Sequence, residues 1–113
     1  STTLLGREDG KPFDGALAAF TGAKPEDNLR LDAEGARASR TGTVFVADEY
    51  GPVVYEFDAK GKRVRALPVP DKFRAPKPGK TPNDELPPFA KTGRQPNRGM
   101  EGLAISPDGA KLY

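Results

Sequence analysis

Five carboxylates carry the densest polar chemistry of the sequence: Asp32, Glu34, Asp48, Glu49 and Glu101. The chain has no histidine and no cysteine. A Ser-His-Asp triad, thiol catalysis and the usual zinc or iron sites therefore cannot be built from its own residues. Catalysis would have to use carboxylates, Lys, Arg, Tyr, or a hard cation held by oxygen. Clustered carboxylates suit Ca2+, which takes about 6–8 oxygen ligands, so all five acids are candidate metal ligands. Arg37 and Arg98 stand close to them in sequence and are the candidate anion contacts, because a guanidinium fork grips phosphate bidentately. A divalent cation beside such bases is an apparatus for phosphate-ester hydrolysis: the metal activates water and the bases neutralise developing charge. The plainer alternative makes Asp32, Asp48 and Asp108 turn formers, lets Glu34 and Glu101 hold backbone amides, and leaves Lys72 and Lys77 as solvated loop charges.

The acids recur in a pattern, which points to the elements that must position them. Glu34-Gly35 is followed by Ser39, Gly42 and Phe45; Glu101-Gly102 is followed by Ser106, Gly109 and Leu112, each displaced by 67 residues. After Gly35 comes a short small-residue segment to Ser39 and a turn at Arg40-Thr41-Gly42. Thr43–Ala47 reads as a strand buried on both faces, Asp48–Pro52 as a polar loop, and Val53–Asp58 as a second strand rich in β-branched and aromatic residues. Ala59-Lys60-Gly61 closes a tight hairpin. Arg63–Val69 alternates, with Val64, Ala66 and either Leu67 or Val69 expected inward and Arg63 and Arg65 outward.

Four antiparallel strands in an up-and-down meander describe a β-propeller blade. In such a blade the entry to the first strand and the loop leaving the second share one rim, so the five acids are expected to gather there. The second Glu-Gly motif opens a further blade: Gly102–Ser106, a turn at Pro107-Asp108-Gly109, and a strand from Lys111. The predicted fold class is all-β, a fragment of about one and a half blades with a long Pro-rich insertion, where a closed propeller has about 4–8 blades. Its parts are a lead-in (1–30), a first blade (32–69), the insertion (70–97) and the start of the next blade (98–113). In the lead-in, Ala16–Phe20 reads either as one helical turn capped by Asp14 or as a short strand ended by Gly22. Ser1 and Tyr113 both read as cuts in a longer polypeptide, which would need the rest of its propeller or a partner chain.

Composition agrees with turn-rich β structure. Of 113 residues only 35% are hydrophobic, and 13 glycines with 12 prolines punctuate short apolar runs, leaving no long segment of helical period. The formal charge of +2 argues against a global pull on nucleic acid or anionic membrane. No apolar run approaches the roughly 20 residues of a membrane span. Residues 71–98 hold seven bases against three acids, a local +4, leaving −2 for the rest. A loop of that length is usually functional or disordered. No Gly-x-Ser-x-Gly, Walker loop or dinucleotide fingerprint is present.

Several stretches together resemble the phytase-like domain family, also labelled esterase-like activity of phytase: Asp32-Ala33-Glu34-Gly35-Ala36-Arg37, Val46-Ala47-Asp48-Glu49-Tyr50-Gly51-Pro52, Tyr55-Glu56-Phe57-Asp58, Leu67-Pro68-Val69-Pro70 and Asn97–Gly109. The resemblance covers residues 31–113 outside the insertion. It implies a β-propeller, usually exported to the periplasm or beyond the cell, with metal-dependent hydrolysis of phosphoric esters and a small phosphorylated or anionic substrate. A looser similarity joins the Glu-Gly motif to gluconolactonase and senescence-marker propellers, in which that Glu is a central metal ligand. Two other readings follow: a non-catalytic propeller that binds partners through the insertion, and a lactone or sugar-acid hydrolase.

Overall fold

The two apolar runs of the sequence become the middle of a four-stranded antiparallel sheet. A computed structural model describes residues 2–16, 20, 24–75 and 78–113; the alternatives for Ala16–Phe20 turn on residues 17–19, which, like Gly22 and Lys77, lie outside the described residues. Strands β1 (Ala33–Ala38), β2 (Val44–Asp48), β3 (Val53–Phe57) and β4 (Arg63–Leu67) lie side by side in chain order. The fold is all-β. Among the described residues the helical pieces are single 3-10 turns at Pro25–Asp27, Asp71–Phe73 and Pro82–Glu85.

Because successive strand residues face opposite sides, β2 and β3 supply two cores. Val46, Val53, Tyr55 and Phe57 pack on one face with Leu5, Phe13 and Leu31. Phe45, Ala47 and Val54 pack on the other with Leu103, Met100, Ile105 and Leu112. Each large side chain so buried contributes about 1.5–3 kcal/mol relative to exposure. The two central strands therefore hold the sheet, while β1, built from alanines, a glycine, Glu34 and Arg37, is largely exposed.

The sequence repeat is a repeat of structure. Ala104 and Tyr113 exchange both amide hydrogen bonds, and Ile105 bridges Leu112, so the second motif forms an antiparallel hairpin. Its turn copies the one between β1 and β2. Gly42 N donates to Ser39 O as Gly109 N donates to Ser106 O, with both glycines at positive φ (88 and 74). Ser39 Oγ accepts from Thr43 N and Ser106 Oγ from Lys111 N, each at 3.0 Å. The two units touch closely: a Cβ on Gly35 would lie 3.1 Å from Leu103 Cβ.

At the start of β4 the expected orientation is reversed, while Ala66 packs against the core as expected. Arg63 is 1% exposed and Val64 48% exposed. A register shift between Glu56 and Phe57 pairs Phe57 with Arg63 and Glu56 with Arg65, and the N-terminal segment then covers the Arg63 side. Arg63 donates from Nε to Glu8 Oε1 (3.0 Å) and from Nη2 to Glu8 Oε2 (2.8 Å). Its guanidinium carbon lies 5.0 Å from the Tyr55 ring centre and 5.5 Å from that of Phe13, an attractive placement for a cation removed from water. The hydrogen bond from Arg63 holds the Glu8 carboxyl below its ordinary range. Arg65 does face outward, with its Nε donating to Glu56 Oε2.

The same segment adds a short parallel pairing to the start of β4: Gly6 N donates to Gly61 O (2.7 Å) and Arg63 N to Gly6 O (2.8 Å). Gly61 has φ 83, and a Cβ there would lie 2.1 Å from Leu4 O. Gly61→Ala is expected to release residues 4–6 at a cost of about 1–2 kcal/mol, since Leu4 is exposed and free to withdraw. Amide exchange would show it as lost protection at Gly6 and Arg63, with β2 and β3 unchanged.

Candidate metal centre at the β1–β2 rim

Three of the five acids meet where β1 and β2 leave the sheet. The strand pairing runs one step beyond Ala33–Asp48, because Glu49 N donates to Asp32 O at 2.9 Å. The register then shifts between Ala33 and Gly35, which makes Glu34 the extra residue of a β-bulge. Bulges re-aim a side chain. Here one carboxylate oxygen each from Asp32, Glu34 and Glu49 lies within 4.8 Å of the others, with Glu34 exposed and the other two half-buried. Like charges at this spacing repel. Among the described residues one ion pair reaches the group, from Arg30 Nη2 to Asp32 Oδ2 at 3.0 Å.

The spacing fits a shared hard cation. Oxygens held at about 2.3–2.6 Å from one Ca2+ can be no more than about 5 Å apart. Three carboxylates can supply up to six oxygens, and the exposed side near Glu34 leaves room for water to complete the shell.

Asp48 has another task. It is fully buried, and its Oδ1 accepts from Asp32 N (2.9 Å) and Tyr50 N (3.3 Å), its Oδ2 from Asn28 Nδ2 (3.3 Å). Asn28, also buried, clasps Arg30 at both ends: Nδ2 donates to Arg30 O and Oδ1 accepts from Arg30 N. Together they fix the backbone on which Arg30, Asp32 and Tyr50 stand. Burial pushes the Asp48 carboxyl up to about 6 against the opposing pull of the backbone amides. The same burial pushes Tyr55, which donates to Pro25 O, up to about 12.

Tyr50 links the rim to the insertion. Its hydroxyl donates to Glu85 Oε1 (2.7 Å), which also accepts from Gly79 N, while Glu85 Oε2 accepts from Arg94 Nη2 at 2.7 Å. Both partners of this ion pair are buried, at 3% and 1% side-chain exposure, so the insertion is anchored there. Burial pushes Tyr50 up to about 12, reinforced by Glu85. The guanidinium carbons of Arg30 and Arg94 lie 3.6 Å and 4.3 Å from the Tyr50 ring centre. Arg30, Asp32, Glu49, Tyr50, Glu85 and Arg94 all line a cleft of about 310 Å³.

The remaining expected site residues stand elsewhere. Glu101 is exposed and outside the acid group. Arg37 is exposed, with its Nη1 donating to Ala36 O. Arg98 lines a different cavity. Asp108 accepts from Ala110 N and from Ser106 Oγ, as a turn former does. Sequence reasoning missed Asn28, Arg30, Glu85 and Arg94. Asn28 ends a turn-like run, and nothing near Glu85 or Arg94 in sequence announces a buried pair.

The fold and the rim define an all-β chain that gathers carboxylates at one end of its sheet. It belongs to the phytase-like family (esterase-like activity of phytase), whose family model matches residues 1–113. The match takes in residues 1–30, which the motifs alone left unplaced. The chain is 33% identical over 147 residues to a protein of Arthroderma benhamiae described as an uncharacterized secreted protein, covering 99% of this chain and 29% of that relative. The chain thus spans less than a third of the relative's length. No solved structure matches it. Among the described residues no helix is long and apolar enough to cross a membrane.

Proposed function

We propose that the protein is an exported phytase-like β-propeller that hydrolyses phosphoric esters, to which this chain contributes one blade and the start of the next, and that Asp32, Glu34 and Glu49 hold Ca2+. The observation that carries the reading is the bulge at Glu34, which brings a third carboxylate to a facing acid pair. Asp32 and Glu49, half-buried at the strand ends, and Glu34, exposed at the bulge, would hold the ion. Asp48 is a positioning residue, acting through the Asp32 and Tyr50 amides. Bound Ca2+ supplies a Lewis acid that polarises phosphoryl oxygen and activates water. Arg30, held on the Tyr50 ring, sets a fixed positive charge in the cleft beside the acids; Arg37, exposed on β1, is a further proposed contact for the anion, and Arg98, which lines the other cavity, would meet only a substrate that extends to it. Export draws support from the description of the Arthroderma relative as secreted.

Melting of the full-length protein tests the metal. At a Ca2+ concentration 100-fold above its dissociation constant the folded state should gain about 2.7 kcal/mol. Glu34→Ala should abolish that gain while leaving the metal-free melting temperature in place, since the Glu34 side chain is exposed. A wild-type melting temperature indifferent to Ca2+ overturns the assignment. A second reading, a binding module without catalysis, draws on the anchored insertion with its exposed Lys72, Lys80 and Lys91. Under that reading, deleting the insertion abolishes partner binding and replacing the acids does not.

A further inference from the structure

A second cavity, of about 430 Å³, shares Arg94 with the acid-lined cleft. Its floor and walls include Pro52, Phe73, Met100 and the backbone of Gly99. Phe73 is 49% exposed, an aromatic ring without full cover. The turn that carries it is tied to the opposite wall by Arg94 N donating to Arg74 O at 3.1 Å, so the cavity is framed by a fixed contact. Its size and mainly apolar lining are those of a small-molecule site, where a few polar groups set orientation.

Apart from the Gln95 amide, those polar side chains are cationic. Among the described residues the charged ones in the lining are Arg94 and Arg98, with no acid beside them. Arg94 is committed to Glu85 through Nη2, though its buried Nε has no hydrogen-bond partner among the described residues. Arg98 is exposed and makes no side-chain ion pair or hydrogen bond among the described residues. Lys72 adds a further positive charge, its Nζ 4.8 Å from the Phe73 ring centre. An apolar wall beside an uncommitted guanidinium matches a ligand with an apolar body and one anionic end.

We propose that this cavity binds a small aromatic anion, its ring against Phe73, Pro52 and Met100 and its carboxylate or phosphate on Arg98. The inference shares Arg98 with the proposed function and depends neither on the metal nor on hydrolysis.

Titration calorimetry of the full-length protein in excess chelator separates the two. The probes are 1-naphthyl phosphate, 1-naphthoate, 1-naphthol and inorganic phosphate. At least one naphthyl anion should bind about tenfold tighter than naphthol, the gain expected of one charge-assisted contact, and tighter than inorganic phosphate. Which anion binds better tells a phosphate monoester from a carboxylate. Arg98→Ala should bring the anions down to the level of naphthol, and Phe73→Ala should weaken all three naphthyl compounds. Naphthol matching the anions, inorganic phosphate matching naphthyl phosphate, anion binding indifferent to Arg98→Ala, or no saturable naphthyl binding would each overturn the proposal. Loss of the Ca2+ effect alone leaves these outcomes unchanged.

Discussion

Gly99→Ala is expected to lower the midpoint of urea unfolding sharply, by the equivalent of about 3 kcal/mol, whereas Gly102→Ala leaves it nearly unchanged. A Cβ on Gly99 would lie 1.8 Å from Glu49 O and 2.6 Å from Glu49 C. These are backbone atoms, and they cannot retreat freely because Glu49 N is bonded to Asp32 O. Something must separate, either the end of the β1–β2 pairing or the segment that leads to Leu103 in the core. A Cβ on Gly102 meets nothing within 4 Å. Both substitutions restrict the unfolded chain alike, so the difference between them isolates the steric term. Equal midpoints for the two variants would refute the close approach. Because Glu49 is a proposed ligand, Gly99→Ala should also weaken the Ca2+ stabilisation, without removing any carboxylate.

Asp48→Ala is expected to be as severe, at about 3 kcal/mol or more, because it leaves the Asp32 and Tyr50 backbone amides without their acceptor and takes one acceptor from the buried Asn28 side-chain amide. Asp48→Asn keeps the shape but turns an NH2 toward some of these donors. It also removes a titration. The folded carboxyl titrates at about 6 against an ordinary 3.8, so the folded state binds this proton more tightly than the unfolded chain does. Stability from this group is fully present below about pH 4 and is lost as pH rises through about 6, a change of about 3 kcal/mol. Asp32 faces the same carboxyl and its charge pushes in the same direction. Other carboxyls, such as Glu8, are held low and work the opposite way at lower pH, so the wild-type profile alone does not read out Asp48. The measurable quantity is the stability difference between wild type and Asp48→Asn, which should shrink or favour the variant as pH climbs from about 4 to about 6. Parallel curves would mean that the buried carboxyl stays charged throughout.

Much of the sheet was legible because its signals are local. Val44-Phe45-Val46 and Val53-Val54-Tyr55 are too apolar to leave in water, and Gly42, Gly61 and Gly109 sit at turns that require positive φ. The repeated motif was legible for the same reason, since Ser39 and Ser106 make their bonds within five residues. What could not be read depended on distant partners. Arg63 in an alternating strand reads as solvent-facing until Glu8 arrives from 55 residues earlier. Asp48 looked like its neighbour Glu49, and only the pairing geometry sends one carboxylate inward to amides and the other to the rim. Glu34 was marked by its motif, but the bulge that aims it has no sequence signature. Glu85 and Arg94 lay in a stretch without periodicity, where a buried pair leaves no pattern.

The bond between Glu8 and Arg63 also orders events in time. Residues 4–8 leave the ribosome well before the β3–β4 hairpin that they cover, and closing so long a loop is slow relative to forming local turns. Until the segment docks, Arg63 lacks its Glu8 partner and the Tyr55–Phe57 face lacks Leu5. The earliest of these residues to be made are thus among the last to be seated. Docking of this stretch gives Arg63 its carboxylate and adds Leu5 to the Tyr55–Phe57 face, so it removes both an unpaired buried charge and apolar surface of the kind that favours misassembly.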